Sequence, residues 1–317
     1  MNRRALARAA AGAKAAPPAS DADPSVGVDN VSRKLEAQLA AGDLYGALQM
    51  YKTLFMRHLK GDAPDAAQQL KAVELALEAA LCLARHAQST AAAEMASLML
   101  SVYADFHFAV DEPNKGERRI RKINAAFAAQ PQFSADLAVV LKHAVKWSAT
   151  DGSRKRGDPE LQLLLARAHR AAGDFQHAAK HYLHAESPAE FADALFDWSK
   201  SGYPSEHDLF VARAVLQLLS LENLRDANRV YEDFMAKSRA ANRSVDTPLL
   251  NFVRFLLLTL ERDALPLFQV LQERYAPSLA RDSSLKNYMS VIGQKFYGLQ
   301  PPRNGLSSLL EMFSGGM

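Results

Sequence analysis

The chain has 317 residues, 49% of them hydrophobic and 23% charged, with a formal net charge of +3. That charge is too small to mark a nucleic-acid binder, and one cysteine, Cys82, excludes an internal disulfide framework and fits a reducing compartment. Cys82 lies in the apolar run Leu75–Ala84 and reads as a small buried hydrophobe.

The first 30 residues differ in composition from the rest. Met1–Ser20 carries Arg3, Arg4, Arg8 and Lys14 among alanines, and Ala16–Pro24 is rich in proline and small residues. The segment reads as a disordered tail, with an organellar transit peptide as the alternative. From Val31 onward, helix formers dominate and no long stretch alternates at period two, so an all-α chain is predicted.

The first helical pair, Val31–Leu59, contains AGDLYGALQMY at Ala41–Tyr51, and AGDFQHAAKHY at Ala172–Tyr182 nearly repeats it. Gly42 and Gly173 suit the left-handed residue that closes a helix, and Asp43 and Asp174 suit the cap of the next one. Leu44, Ala47 and Tyr51 then share one helix face, as do Phe175, Ala178 and Tyr182. A degraded third copy spans Leu224–Tyr231, with Glu222 and Asn223 in place of Gly-Asp. A corner reused in this way predicts stacked helical hairpins, an α-solenoid. The spacings, 131 and 49 residues, are not multiples of the tetratricopeptide period of about 34, so the repeat is irregular.

Further hairpins are predicted over Pro64–His107, Lys115–Ala149, Gly157–Ala185, Pro188–Leu221 with Asn223–Arg239, Pro248–Tyr275 and Asp282–Gly298. That amounts to 13 to 15 helices, or about seven pairs of about 40 residues. Polar breaks at Ser148–Arg156 and Lys237–Thr247 are too short to be interdomain linkers. One solenoid over 31–317 is therefore expected, with a front half to about residue 150 and a back half from about 157. The longest apolar run, Leu249–Leu260, falls well short of the roughly 20 residues that span a bilayer.

Few residues suggest chemistry. His177, His181 and His184 lie at i, i+4 and i+7, which is metal-ligand spacing, but no cysteine or carboxylate helix accompanies them and the face reads as surface. No metal or other cofactor is expected. Arg118, Arg119, Arg121 and Lys122 form a basic knot without interleaved aromatics, so it reads as a solvated helix face and not as a nucleic-acid platform. Phosphate-loop, dinucleotide, nucleophile-elbow and zinc-protease motifs are all missing, which shifts weight from enzyme to binding scaffold. Leu306, Leu309, Leu310 and Phe313 make a terminal apolar stripe, either a self-cap or part of a partner groove. In Pro248–Tyr275 the apolar residues surround the helix, and neighbouring pairs are expected to cover only part of it.

Several segments in order resemble one family. They are KLEAQLAAGDLYGALQMYKTL (Lys34–Leu54), GDPELQLLLARAH (Gly157–His169), AGDFQHAAKHYLHA (Ala172–Ala185), FADALFDW (Phe191–Trp198), LENLRDANRVYEDF (Leu221–Phe234), the long Thr247–Asp282 string beginning TPLLNFVRFLLLTL, and IGQKFYG (Ile292–Gly298). The chain is similar to the fourth component of the guided-entry-of-tail-anchored-proteins pathway, whose animal counterpart is a subunit of a transmembrane-domain recognition complex. The resemblance implies a cytosolic, non-enzymatic α-solenoid adaptor for targeting tail-anchored proteins to the endoplasmic reticulum. Its front would dock the targeting ATPase homodimer through Lys34, Tyr45, Lys52 and Arg57. Its back would hold a ubiquitin-like-domain protein through Phe252, Phe255, Phe268, Tyr275, Phe296 and Tyr297, where a large scaffold chaperone also joins in some lineages. The segment Lys237–Thr247 is too short for the β-hairpin that some relatives use there. No contact with nucleic acid and no insertion into a membrane is implied. The alternative is a helical-repeat scaffold of another large cytosolic assembly, although the winged-helix ending usual in lid-type and vesicle-coat subunits is missing here.

Overall fold

The structure, a computed structural model, describes residues 37–38, 40–60, 64–108, 116–130, 134–150 and 154–300. Lys34, the N-terminal tail and the Leu306–Phe313 stripe lie outside these. Among the described residues there is no strand and there are fourteen α-helices: α1 Leu44–His58, α2 Ala66–Arg85, α3 Ser89–Asp105, α4 Gly116–Ala128, α5 Ser134–Ser148, α6 Pro159–Ala171, α7 Phe175–Tyr182, α8 Pro188–Ser199, α9 His207–Ser220, α10 Leu224–Ala240, α11 Pro248–Glu261, α12 Leu265–Arg274, α13 Ala276–Leu279 and α14 Ser283–Tyr297. A 3-10 turn at Pro204–Glu206 leads into α9. The fold is all-α, as the periodicity predicts. The break before α11 is shorter than expected, because Lys237 and Arg239 continue α10 and only residues 241–247 leave the helix.

The repeated corner has one geometry wherever it occurs. Gly42 and Gly173 have φ of +74° and +77°, the left-handed region where a Cβ is unfavourable. The following aspartates cap the next helix: Asp43 accepts from the Gly46 N–H at 2.9 Å, and Asp174 from the His177 N–H at 3.2 Å. The degraded copy is equivalent, with Glu222 at φ +62° and Asn223 accepting from Asp226 at 3.1 Å. Three more corners carry no glycine signature: Ala87, Glu186 and Asp263 have φ of +60°, +50° and +50°, each immediately before the next helix's cap residue. At Gly42, Ala87, Gly173, Glu222 and Asp263, the N–H one residue further on returns to a carbonyl five residues back, the bond that closes a helix end. One residue thus ends one helix and its neighbour starts the next.

The chain divides into two compact units between Ala79 and Ala80, a boundary inside α2. In the first unit, α1 buries Ala47, Leu48, Tyr51, Leu54 and Phe55, and the first part of α2 buries Ala72, Val73, Ala76 and Ala79. The second unit is a succession of packed helices in which α3 meets α5, α5 meets α6, α6 meets α7, α7 meets α8 and α8 meets α10. Small residues at the crossings (Ala166, Ala178, Ala192, Ala212, Ala227) are all fully buried and let the helices approach closely.

Helix α9 is the hub of the back part, packing on α8, α10, α11 and α14 with ten buried residues. Each large apolar side chain buried there contributes roughly 1.5–3 kcal/mol. Two of its buried groups are polar. Asp208 accepts from both terminal nitrogens of Arg281 at 2.7 and 3.0 Å and from the Thr247 hydroxyl at 2.9 Å. That ion pair ties the segment after α13 to the start of α9, 73 residues away in sequence.

Candidate protein-docking surfaces

In the first unit, α1 presents the predicted front residues. Tyr45 is 74% exposed, while Tyr51, the packing position of the repeat, is buried in the core. Tyr45 and Lys52 are seven positions apart and share a face, which Met56, also exposed, extends by one turn. Lys52 and Arg57 are five positions apart, about 140° round a helix of 3.6 residues per turn, so they do not form one basic patch. Met56 was missed, because a methionine at helical spacing reads as core.

In the second unit the predicted back residues divide. Phe252 and Phe268 are fully buried; Phe252 packs against Tyr275 with ring centres 5.6 Å apart, and Phe268 against Tyr297 at 5.1 Å. These two phenylalanines join α11, α12 and α14 internally and have no surface to offer a partner. Tyr275, Phe296 and Tyr297 are half-buried against the same core, and the Tyr297 hydroxyl donates to the Thr259 carbonyl at 3.3 Å. Phe255, 44% exposed, is the predicted aromatic that faces out. Leu267 and Val270, at i and i+3 on α12, are also exposed and were not anticipated. The neighbouring helices cover more of α11 than its all-round apolar pattern suggests: eight of its residues are buried, with α9, α10 and α12 packed on it, and Phe255 is left exposed.

The histidine face does not converge. His177 Nδ1 lies 2.8 Å from the Asp174 carboxylate, His181 Nδ1 is 2.8 Å from Gln162 Oε1, and His184 accepts from Arg156 at 3.1 Å. His169, from α6, instead stacks between two of them, 5.4 Å from His177 and 5.5 Å from His181. Burial, helped by the neighbouring histidines and Lys142, lowers the pKa of His181 to about 4, and burial also lowers those of His169 and His184. Among the described residues no group of histidine, cysteine and acidic side chains is placed to hold a metal ion.

The basic knot is partly consumed internally. Arg121 pairs with Glu117 at 2.5 Å and with Glu160 at 3.0 Å, and Arg119 reaches the Tyr103 hydroxyl at 3.5 Å. Arg154 pairs with Asp158. No described helix is long and apolar enough to cross a membrane.

The two exposed surfaces sit on a chain with clear relatives. A family model described as Golgi to ER traffic protein 4 matches residues 66–315. A "Golgi to ER traffic protein 4 homolog" of Oryzias latipes is 36% identical over 281 residues, covering 88% of this chain and 84% of the relative. The Dictyostelium discoideum and Homo sapiens homologs are each 33% identical, covering 91% of this chain and 91% and 88% of their own lengths. The fold is similar to that in "Crystal structure of C. therm. Get4", with a TM-score of 0.76, 24% identity, and coverage of 92% of this chain and 96% of that one. With the family model covering most of the sequence and relatives above 30% identity along nearly all of it, the chain belongs to the Golgi to ER traffic protein 4 (GET4) family.

Proposed function

We propose that this chain is a non-enzymatic, cytosolic adaptor that helps deliver tail-anchored membrane proteins to the endoplasmic reticulum. In this reading it bridges a targeting ATPase homodimer and a ubiquitin-like-domain co-chaperone, with a large scaffold chaperone as a further partner at the back. Family membership over residues 66–315 is the observation that carries the reading. The ATPase is assigned to the face of α1 that bears Tyr45, Lys52 and Met56, an exposed aromatic beside a cation and a flexible apolar side chain. Tyrosine and methionine are enriched where proteins meet. Arg57 contributes longer-range attraction from the adjacent face; Lys34, also nominated for this partner, lies outside the described residues.

The ubiquitin-like partner is assigned to the outer surface of α11 and α12, around Phe255, Leu267 and Val270, with Tyr275, Phe296 and Tyr297 behind it. Exposed apolar side chains on a paired-helix surface suit helix-in-groove or strand docking. Co-purification tests both assignments. The chain, mixed with each candidate partner, should retain both, and Tyr45→Ala should release the ATPase alone. Phe255→Ala combined with Leu267→Ala should release the ubiquitin-like protein alone. Retention of both partners by both variants would refute the assignment of the surfaces.

A further inference from the structure

A cleft of about 490 Å³ opens where the end of α8, the start of α9 and the segment after α10 meet. Its walls include Lys200, Gly202, Ser205, His207, Asp208 and Arg243. His207 is buried, its ring stacked on Phe234 at 4.9 Å. Its Nδ1 is 2.9 Å from Arg243 Nη1, and its Nε2 is 3.0 Å from Ser238 Oγ. A guanidinium can only donate, so Nδ1 accepts and the ring is neutral, with its proton on Nε2 facing Ser238. Burial first, and then the Arg243 charge, hold the His207 pKa below its ordinary value. Ser199 Oγ lies 2.7 Å from the Phe196 carbonyl, to which it donates, and 3.0 Å from His207 Nδ1, and it accepts from Arg243 Nη1 at 3.2 Å. The guanidinium also lies 5.3 Å over the Phe196 ring. Arg243 is therefore fixed by three groups, none of them charged.

Guanidinium carries five N–H donors, and the two on Nη1 are directed to His207 and Ser199. Among the described residues the Nε–H and Nη2–H edge meets no acceptor and Arg243 has no carboxylate partner. Of the other charged groups on the walls, Lys200 pairs with Asp197 at 2.8 Å, a carboxylate it shares with Arg170, and Asp208 is held by Arg281 and Thr247. The Arg243 charge sits on a rigid mount with no carboxylate of its own among the described residues. An Nε–Nη2 edge is the fork that pairs bidentately with a carboxylate. Tyr203, between the wall residues Gly202 and Pro204, is 73% exposed at the rim.

We propose that this cleft is a subsite for a single Asp or Glu carboxylate on an acidic peptide segment of a docking protein, with Arg243 as its bidentate partner and Tyr203 as a platform for the flanking chain. The cleft is much larger than a lone carboxylate or phosphate, and a solvent-exposed aromatic at its edge suits a polypeptide over a free anion. The inference rests on the cleft's own geometry and holds whichever protein docks on the back of the molecule.

The test uses the full chain and a dye-labelled peptide of alternating Glu and Leu, its Gln-for-Glu counterpart, and inorganic phosphate. The Glu peptide should bind, and the Gln peptide should bind about tenfold or more weakly, as expected for loss of a charge-assisted pair. Arg243→Gln should abolish that preference, and Arg243→Lys, which keeps the charge but not the fork, should fall between. Because Arg243 also supports His207, melting of each variant is compared. The arginine Nε–H resonance of the unmodified chain, which should shift on adding the Glu peptide only, gives a readout independent of any variant. Equal binding of the Glu and Gln peptides, an unmoved Arg243 resonance, or saturable phosphate binding without peptide preference would each overturn the proposal.

Discussion

Gly173 isolates the energetics of the repeated corner. Its φ is +77°, and a Cβ built there would meet no atom within 4 Å. Any cost of substitution is therefore conformational and not a clash. Placing a residue with a Cβ in the left-handed region costs about 1–2 kcal/mol, and a β-branched one more. Replacing glycine also stiffens the unfolded chain, which returns about 0.4–1 kcal/mol. Gly173→Ala should thus lose roughly 0.5–1 kcal/mol and Gly173→Val about 2 kcal/mol, with Gly173→Asn milder than Ala. Gly173→Leu should match Ala, because the space is open and volume is irrelevant. At about 2–4 °C per kcal/mol for a chain of this size, the Val variant should melt about 4–8 °C lower. Gly157 is the contrasting case, with φ +82° and a would-be Cβ 2.7 Å from the Val145 carbonyl oxygen and 2.9 Å from Ser148 Oγ. Strain and overlap add there, so Gly157→Ala should cost more than Gly173→Ala. Thermal and urea melts followed by circular dichroism measure the series. If Leu proved as damaging as Val at Gly173, or Val indistinguishable from Gly, the conformational account of the corner would be refuted.

Ala87 occupies the same left-handed position without glycine, so Ala87→Gly should stabilise by up to about 1 kcal/mol in the same melts; a loss would contradict its φ of +60°. Arg281→Ala leaves the buried Asp208 carboxylate without its ionic partner and should cost about 3 kcal/mol, much of it recovered by adding Asp208→Asn; no recovery would mean the loss is packing. His181 has a folded pKa of about 4, below its ordinary 6.5, so the folded state binds fewer protons and stability rises with pH. Its contribution is complete above about pH 6.5 and lost as pH falls towards 4. His181→Gln should flatten that acid slope in urea melts at pH 5 and 7. Charge reversal at Lys52 and Arg57 together should slow association with the proposed ATPase partner, by less as salt rises; an unchanged rate at low salt would remove both from the encounter.

The sequence alone determined the all-α class, most helix pairs and three of the corners, because these rest on local chemistry. A glycine's freedom to turn left, an Asx side chain's reach to the next N–H, and apolar residues at three- and four-residue intervals act within one or two turns of chain. The quoted segments were likewise enough to point to the family. The corners at Ala87, Glu186 and Asp263 were invisible, since packing of the joined helices, not a residue preference, holds them in the left-handed region. Tertiary structure also decided which aromatics are available. Phe252 and Phe255 lie three positions apart in one apolar run, yet α9, α10 and α12 enclose the first and leave the second in solvent. It broke up the histidine trio, drawing His169 from another helix into the stack and sending His184 to Arg156. The Arg243 cleft had no sequence signal at all: its residues come from three segments, and only folding sets a lone guanidinium against neutral partners while the nearby charges pair with one another.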